Sequence, residues 1–228
     1  MSQDIKEVYK KWDARVGDRW AYYQRDVRFH TSEREWFLSR LLHAKLGSDG
    51  LRSAKILDVG CGYGRILSTL VEWGASPSNM VGVELLPDRL EVARVNCPRE
   101  ISWHLGELES LGLDCRFDIV LAFTVLSSIV DKDDRGRLVR QMSEHLTNEG
   151  QLVIFDLRYN NPRNKNVSQV TRSEIVSSLP DRTVEQYTLG LLPPISRVLA
   201  PRSLLLTHVV ARLIPFLRSH NLFVVGAS

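Results

Sequence analysis

The sequence of 228 residues contains little cysteine, and its three cysteines are Cys61, Cys97 and Cys115. Their odd number and the lack of a CxxC pair argue against a disulfide framework and favour a reducing compartment. No spacing of cysteine and histidine matches a set of metal ligands, so we expect no metal site of that kind. The chain is therefore not expected to be a small module held together by disulfides or zinc.

Long apolar runs and a strong excess of one charge are also missing. Nowhere do about 18 apolar residues follow one another, and the N-terminal stretch MSQDIKEVYKKWD lacks the apolar core of a signal peptide. The net charge of +3 gives little reason to expect a nucleic-acid partner. Because 43% of the residues are hydrophobic, the chain can bury one sizeable core. We expect a cytoplasmic protein with no transmembrane segment.

From residue 55 onward, short apolar segments alternate with helical patterns. The predicted strands are 55–59, 80–84, 101–104, 118–123, 151–156, 183–189 and 221–227. The predicted helices are 33–46, 64–73, 87–96, 132–146, 171–178 and 202–217. This alternation predicts an α/β fold with a mostly parallel seven-stranded sheet and helices on both faces.

The segment before the first strand is predicted to be a helical cap. Aromatic and apolar residues recur there at helical spacing, namely Tyr9, Trp12, Val16, Trp20 and Tyr23. A break is expected near His30, with Thr31 or Ser32 as the N-cap of the next helix. We expect a single domain over 1–228, in which the cap is 1–50, the core 51–160 and the substrate-side region 161–228.

The segment KILDVGCGYGR, residues 55–65, joins a strand to a helix through three glycines. Glycine lets the backbone approach a small ligand closely, and a carboxylate stands on each side of the turn, at Asp58 and Glu84. A nicotinamide-binding turn would read GxGxxG, but its third glycine would fall on Arg65. The spacing GxGxG therefore disfavours a dehydrogenase.

The turn, with Asp58 before it and Glu84 after it, resembles the signature of the class I S-adenosylmethionine (SAM) dependent methyltransferases. The resemblance covers residues 50–160 and implies a Rossmann-like fold. It implies that Gly60, Cys61 and Gly62 lie against the methionine part of SAM and that Asp58 orients this part. It also implies that Glu84 accepts hydrogen bonds from both ribose hydroxyls, which suits the two oxygens of a carboxylate. The product would be S-adenosylhomocysteine (SAH).

The same resemblance extends to residues that follow the next strands. It implies that Glu107 and Leu108 lie near the adenine, that Leu85 packs on the adenine face, and that Phe123 passes near the transferable methyl group. A solvated loop carboxylate at Glu107 and a core position for Leu85 are the structural alternatives.

The acceptor is less well defined than the cofactor. The run Asn/Asp-Pro-Pro-Tyr/Phe, which marks many methyltransferases of planar amino groups, is absent after the fourth strand, at 124–129. Segments 125–129 and 155–164 resemble a subgroup associated with glycan or secondary-metabolite pathways. The resemblance favours a hydroxyl of a small polar or glycan-related acceptor, with N-methylation and a non-catalytic SAM-binding regulator as alternatives. The candidate acceptor-binding residues are Tyr22, Arg158, Asn160, Asn161 and Arg163, of which the arginines could hold an anionic acceptor.

Two residues are candidates for the general base that an oxygen acceptor needs. Asp156 ends the fifth strand, and His30 has an ordinary pKa that suits proton abstraction near neutrality. Either side chain could instead be structural. The acidic run 131–134 could suggest magnesium, but acids are favoured at a helix start, which is the interpretation we prefer.

The predicted helix 203–217, SLLLTHVVARLIPFL, is unusually apolar for its position between the last two strands. It could act as a lid over the substrate, form a homodimer interface or contact a membrane surface, and it is too short to span a bilayer.

Overall fold

The computed structural model describes residues 22–112, 115–162 and 164–227, and its core is a seven-stranded sheet. The strands run in the order β3-β2-β1-β4-β5-β7-β6. They are β1 (Ile56–Val59), β2 (Met80–Glu84), β3 (Ser102–Leu105), β4 (Phe117–Phe123), β5 (Leu146–Leu157), β6 (Thr183–Leu189) and β7 (His220–Gly226). All seven strands were predicted from the sequence.

Helices connect these strands and cover both faces of the sheet. They are α1 (Arg25–Leu46), α2 (Arg65–Glu72), α3 (Pro87–Asn96), α4 (Lys132–Glu144), α5 (Arg172–Ser178), α6 (Pro193–Leu199) and α7 (Leu204–Leu213). Short 3-10 helices lie at Gly50–Arg52, Pro77–Asn79, Leu108–Leu111, Leu126–Ser128 and Pro215–Leu217. In the described ranges, no helix is both long and apolar enough to cross a bilayer.

The direction of the strands decides which residues meet at each edge of the sheet. Strands β1 to β5 pair in parallel, whereas β7 pairs antiparallel with both β5 and β6. The carboxyl ends of the parallel strands and the amino end of β7 therefore lie at one edge, where Leu157 is opposite His220. Ligands of open α/β sheets bind at this edge.

Apolar side chains form one layer on each face of the sheet. One layer joins α1 and α2 to the strands and includes Leu38, Leu67 and Ile119. The other joins α4 and α5 to the strands and includes Val139, Ile175 and Phe223. Since β1 is buried along its whole length, the glycine turn that follows it starts from a rigid base.

The acidic run at 131–134 is the start of α4. The carboxylate of Asp131 accepts hydrogen bonds from the backbone amides of Asp133 and Asp134, both at 2.9 Å. This is an N-cap, and the acids at the next positions suit the helix dipole. The prediction of a helix start is confirmed.

The N-terminal helix differs from its prediction. Helix α1 runs without interruption from Arg25 to Leu46, so the expected break near His30 and the N-cap at Thr31 or Ser32 are wrong. Thr31 is buried, and the Ser32 hydroxyl donates to a carbonyl within the helix. The polar residues that suggested a cap are therefore satisfied inside a continuous helix. Tyr9, Trp12, Val16 and Trp20 lie outside the described residues.

One further boundary was wrong, and one helix was not predicted. The segment 202–217 is α7 followed by a 3-10 helix, because Pro215 cannot continue an α-helix. Helix α6 was missed because it begins at two prolines with no side-chain cap, whereas α5, which has the same length, begins with a capping box of Thr171 and Glu174.

Candidate cofactor and acceptor site

The glycine turn between β1 and α2 needs three residues in the left-handed region. Gly60, Gly62 and Gly64 have φ values of 70°, 56° and 75°. A Cβ at Gly60 would lie 2.5 Å from the Val125 side chain, whereas a Cβ at Gly62 would meet nothing within 4 Å. The backbone of Gly62 therefore faces open space that a ligand can enter. The turn is anchored to β2, since the amides of Gly60 and Cys61 donate to the Val83 carbonyl.

Asp58 lies in β1 directly before the turn, and its carboxylate is buried. Its Oδ2 has no hydrogen-bond partner among the described residues. Burial, reinforced by the charge of Glu84 and opposed by that of Arg34, raises the Asp58 pKa to about 8. A buried carboxylate without a partner is costly, so this position favours a ligand that brings a positive charge.

Arg34 of α1, which the sequence analysis missed, supplies the opposite charge. Its guanidinium lies over the rings of Phe123 and Phe155, at 5.6 and 5.7 Å from their centroids. Its buried Nε has no hydrogen-bond partner within the described ranges. Burial, together with the charge of Arg65, lowers the Arg34 pKa to about 10, against the opposing effect of nearby carboxylates that include Asp58. Asp58 Oδ2 and Arg34 Nε are therefore two buried polar atoms without partners, and their side chains interact electrostatically.

A signal for Arg34 exists in the sequence. The buried residues Thr31, Leu38 and Leu42 mark the inner face of α1 at helical spacing. Arg34 follows Thr31 by three residues and precedes Leu38 by four, so it lies on the same face. An arginine among buried helix positions predicts a paired or functional charge.

Glu84, at the end of β2, holds the turn through both of its oxygens. Oε2 accepts from the Gly62 amide at 2.8 Å, and Oε1 accepts from the amides of Leu85 and Leu86 at 2.8 and 3.0 Å. A carboxylate has about four lone-pair directions, so three are used by the backbone. Part of the capacity predicted for the ribose is therefore occupied by the chain itself.

The remaining residues predicted near the cofactor lie at the same edge. Phe123 ends β4 and is 8% exposed, Leu108 is buried in the core, Leu85 is half-buried, and Glu107 is exposed. The Cys61 thiol is buried, and burial raises its pKa, so it stays protonated. Their contacts with a cofactor remain predictions.

Asp156, one of the two predicted bases, is completely buried. Its oxygens accept from the backbone amides of Ser127 at 3.1 Å and of Leu157 at 2.8 Å. Burial raises its pKa, whereas these hydrogen bonds lower it. The carboxylate thus ties the loop after β4 to the end of β5. This geometry favours a positioning role over the predicted role as base, because no face of the carboxylate is open to an acceptor.

His30, the other predicted base, lies on the inner side of α1. Its Nε2 is 3.1 Å from the Ser196 hydroxyl, which donates to the Pro193 carbonyl. The Nε2–H must then donate to Ser196, which leaves Nδ1 unprotonated and without a partner among the described residues. Burial lowers the His30 pKa to about 4, so the ring is neutral at pH 7.

A second histidine, His220, was not predicted from the sequence. It begins β7, its ring stacks on Phe155 with centroids 4.7 Å apart, and its Nδ1 lies 2.8 Å from the Ser219 hydroxyl. Burial lowers its pKa to about 3, yet the residue keeps partial access to solvent. The ring centroids of His30 and His220 are 6.1 Å apart. The edge cluster, as we name it, comprises His30, Arg34, Phe123, Phe155 and His220.

Four of the predicted acceptor-binding residues have contacts of their own, and Arg163 lies outside the described residues. Arg158 Nη1 donates to the Pro215 carbonyl at 2.6 Å. Asn160 accepts from the Gln169 amide, Asn161 is exposed, and the Tyr22 ring lies under the Arg65 guanidinium at 4.1 Å. Arg158 and Asn160 are therefore used within the chain, and these contacts of Tyr22, Arg158 and Asn160 do not bring them into the edge cluster.

A groove of about 740 Å³ lies at the opposite edge of the sheet. Arg116, Leu146 and Arg182 line it. Arg116 directly precedes β4, and Leu146 is the first residue of β5. This groove is separate from the glycine turn, because the turn follows the carboxyl end of β1.

Acid should destabilise the protein partly through His220. Its pKa is about 3 in the folded chain and 6.5 without burial, so the unfolded chain binds more protons between these values. The stability that His220 contributes is present above pH 6.5 and is lost as the pH falls towards 3. His220→Phe keeps the stacking on Phe155 but cannot titrate. Below about pH 6, wild type should lose about 1.4 kcal/mol of stability per pH unit through His220, and His220→Phe should not. The free energy of unfolding of the variant should therefore rise by this amount relative to that of wild type.

Urea unfolding of both proteins at several pH values measures this difference. A difference that stays constant with pH would mean that His220 is not held neutral by burial.

Comparison with known proteins shows what part of the chain is similar to. Residues 56–150 match the model of a family described as a methyltransferase domain. A ubiquinone biosynthesis O-methyltransferase of Azorhizobium caulinodans is 31% identical over 111 residues, which cover 47% of this chain and 42% of that protein. The protein of the same name from Idiomarina loihiensis is 30% identical over 118 residues, covering 50% and 46%. The chain spans less than half the length of these curated relatives.

Solved structures share the whole fold. The N-methyltransferase NodS from Bradyrhizobium japonicum, solved with SAH, has a TM-score of 0.69 at 16% identity, and the match covers 99% of each chain. CalS10, an amino pentose methyltransferase from Micromonospora echinaspora solved with SAM, has a TM-score of 0.61 at 20% identity, covering 97% of each chain. The predicted Rossmann-like fold with its mostly parallel sheet is confirmed.

The cofactor expected from the glycine turn agrees with these findings, since methyltransferases of this kind use SAM. The family model covers the turn and the strand that ends in Glu84. The chain therefore carries, over residues 56–150, a region similar to the methyltransferase domain family.

Proposed function

We propose that this protein transfers a methyl group from SAM to a hydroxyl group of a small polar acceptor. A sugar, a glycan-related compound or a secondary metabolite is the acceptor class that the sequence favours. The observation that carries the proposal is the pair of unsatisfied buried atoms, Asp58 Oδ2 and Arg34 Nε. SAM is a donor whose methyl group is already activated, so the protein has mainly to hold and align the reactants.

The two charges suit the amino-acid end of SAM. This end carries an ammonium and a carboxylate on the same carbon, and both would be desolvated in the site. Asp58 would accept from the ammonium, and Arg34 would donate to the carboxylate. The open space at Gly62 supports this placement, because a ligand can approach the backbone there.

Glu84 would bind the ribose with the hydrogen-bonding capacity that its bonds to the backbone amides leave free. One lone-pair direction of its carboxylate is free, so it could accept from one ribose hydroxyl without rearrangement. It could accept from the second hydroxyl if one of its hydrogen bonds to a backbone amide lengthens. Leu85, Glu107 and Leu108 are the residues proposed near the adenine.

The edge cluster would receive the acceptor. It combines two aromatic rings with two neutral histidines, and His220 has partial access to solvent. A hydroxyl must lose its proton as the methyl group is transferred, and a neutral imidazole can accept it. We propose His220 as the base, with His30 as a second candidate. Burial lowers the pKa of both rings, so each is a weaker base than a histidine with the near-neutral pKa expected for His30 from the sequence. The relatives named O-methyltransferases support an oxygen acceptor.

N-methylation and non-catalytic SAM binding are the alternatives. A neutral amine needs little help from a base, so an N-methyltransferase would tolerate the loss of His220. A regulator would bind SAM without forming SAH.

Calorimetry and a turnover assay test the proposal together. Wild type should bind SAM and release SAH with at least one member of a panel of hydroxylated acceptors. His220→Phe should lower that turnover about 100-fold and leave SAM affinity unchanged, because the residue would act on the acceptor. His43→Ala, at an exposed position of α1, is a control that should change neither quantity.

Each failure has its own meaning. SAM binding without SAH across the panel would favour the regulator, and unchanged turnover in His220→Phe would exclude His220 as base. No binding of SAM would overturn the proposed function.

A further inference from the structure

The segment between β6 and β7, residues 190–219, has an unusual composition. It contains four arginines and no acidic residue. It forms α6, α7 and the 3-10 helix Pro215–Leu217, which lie outside the sheet. Every formal charge that this segment presents is therefore positive.

Helix α7 has its large apolar residues on the outside. Its buried residues are the small Thr207 and Ala211, whereas Leu205 and Leu213 are 75% and 73% exposed. A surface helix normally turns its large apolar face towards the core. The apolar patch, as we define it, comprises Val198, Leu204, Leu205, Leu206, Val209, Leu213 and Phe216, each at least 41% exposed.

Such a patch needs a partner. Single exposed apolar residues are ordinary, but contiguous ones mark sites of interaction with proteins or membranes. Six of the seven residues lie within the 13 positions from Leu204 to Phe216, on one helix and the turn that follows it. Their exposure is therefore a property of one surface.

The charges around the patch point to a negatively charged partner. Arg202 and Arg212 are both exposed, at either end of α7. Arg25 joins them from α1, since its Nη1 donates to the Pro201 carbonyl at 2.8 Å. Two carboxylates of α1 face this segment, and both already have partners in it. Asp26 lies 3.8 Å from Arg197, and Glu33 accepts from the Gly190 amide at 2.7 Å.

A second copy of the chain fits this surface poorly. A two-fold interface would place the same patch on both sides, so arginines would meet arginines without acids between them. An anionic lipid surface satisfies both features, because its acyl region accepts leucine and phenylalanine while its phosphates attract arginine.

We propose that the apolar patch docks this protein onto the surface of an anionic lipid bilayer. Helix α7 has 10 residues and is about 15 Å long, so it lies in the interface and does not cross it. The segment that carries the patch also contacts the edge cluster, since the buried Ser196 of α6 lies 3.1 Å from His30 Nε2. The proposal does not depend on catalysis.

Co-sedimentation with lipid vesicles tests this directly. Wild type should bind vesicles of phosphatidylcholine with about 30% phosphatidylglycerol at least about tenfold more tightly than vesicles of phosphatidylcholine alone, and salt should weaken the binding. The double variant Leu205→Ser, Leu213→Ser should reduce binding to the anionic vesicles by more than about tenfold. The double variant Arg202→Gln, Arg212→Gln should remove most of the preference for anionic lipid.

Matched controls separate the patch from general surface effects. Val95→Ser removes an apolar side chain that is 82% exposed on α3, and Arg99→Gln removes a distant exposed charge. Both should bind vesicles like wild type. All variants should bind SAM like wild type, so failure of docking is distinct from failure of the proposed function.

Two results would overturn the proposal. One is equal vesicle binding by wild type and the leucine variant. The other is a dimer in light scattering that the leucine variant dissociates, without vesicle binding by wild type, which would assign the patch to self-association.

Discussion

Asp58→Asn is expected to lower the affinity for SAM about 10- to 100-fold at pH 8, because it removes a charge-assisted hydrogen bond to the ammonium group. The variant should fold, since at a pKa of about 8 the buried side chain is mostly protonated at pH 7 and an amide has nearly the same shape. Calorimetry with SAM and SAH measures the loss. 5′-Methylthioadenosine lacks the amino-acid end and should bind wild type and variant equally.

The pH dependence of this difference is a second test of the same contact. Below pH 8 Asp58 must release a proton before it can pair with the ammonium, so wild-type affinity should fall as the pH is lowered. The affinity of Asp58→Asn for SAM should lack this dependence on pH. The SAM affinities of wild type and variant should therefore become similar towards pH 6. Asp49→Asn, in an exposed loop, is the matched control. If Asp58→Asn weakened the binding of 5′-methylthioadenosine as much as that of SAM, the ammonium group of SAM would not lie at Asp58.

Gly64→Ala is expected to destabilise the fold by about 3 kcal/mol, the combined cost of a left-handed alanine and an overpacked site. Gly64 has a φ of 75°, and a Cβ there would lie 2.7 Å from Cys97 Sγ and 2.8 Å from the Trp103 ring. These side chains belong to α3's C-terminus and β3, which cannot both move without disturbing the core. Urea unfolding measures the change.

Gly62→Ala provides the contrast. It has a similar backbone conformation but open space around the Cβ, so it should cost only about 1 kcal/mol of stability. Its methyl group would instead occupy the space proposed for SAM and should weaken SAM binding. Equal stabilities for the two variants would contradict the packing described for Gly64.

Local signals predicted most of the fold. The strands are short apolar runs, and helices such as α3 begin at a proline and follow a clear pattern. The interruption predicted in α1 failed because Thr31 and Ser32 are typical caps but are also tolerated inside a helix that packs against the sheet. Local preference indicated a boundary, and tertiary packing removed it.

The candidate site was only partly predictable. Asp58, Gly62 and Glu84 lie close together in the sequence, so their shared motif indicated the cofactor. The two arginines proposed for the acceptor illustrate the limit, because Arg158 is bonded to the carbonyl of Pro215 and Arg163 lies outside the described residues. A flexible charged side chain in a loop shows no periodicity that reveals where its donors point.

The sequence by itself determined the glycine turn, the two carboxylates beside it and the order of the seven strands along the chain, because each depends on neighbouring residues. Only the tertiary structure decided that Arg34 and His220 join Phe155 at the carboxyl edge of the sheet, and that Asp156 is enclosed by backbone amides. The physical reason is that burial and hydrogen-bond partners arise when distant segments pack. Antiparallel pairing of β7 brings His220 to this edge, and the docking of α1 brings Arg34.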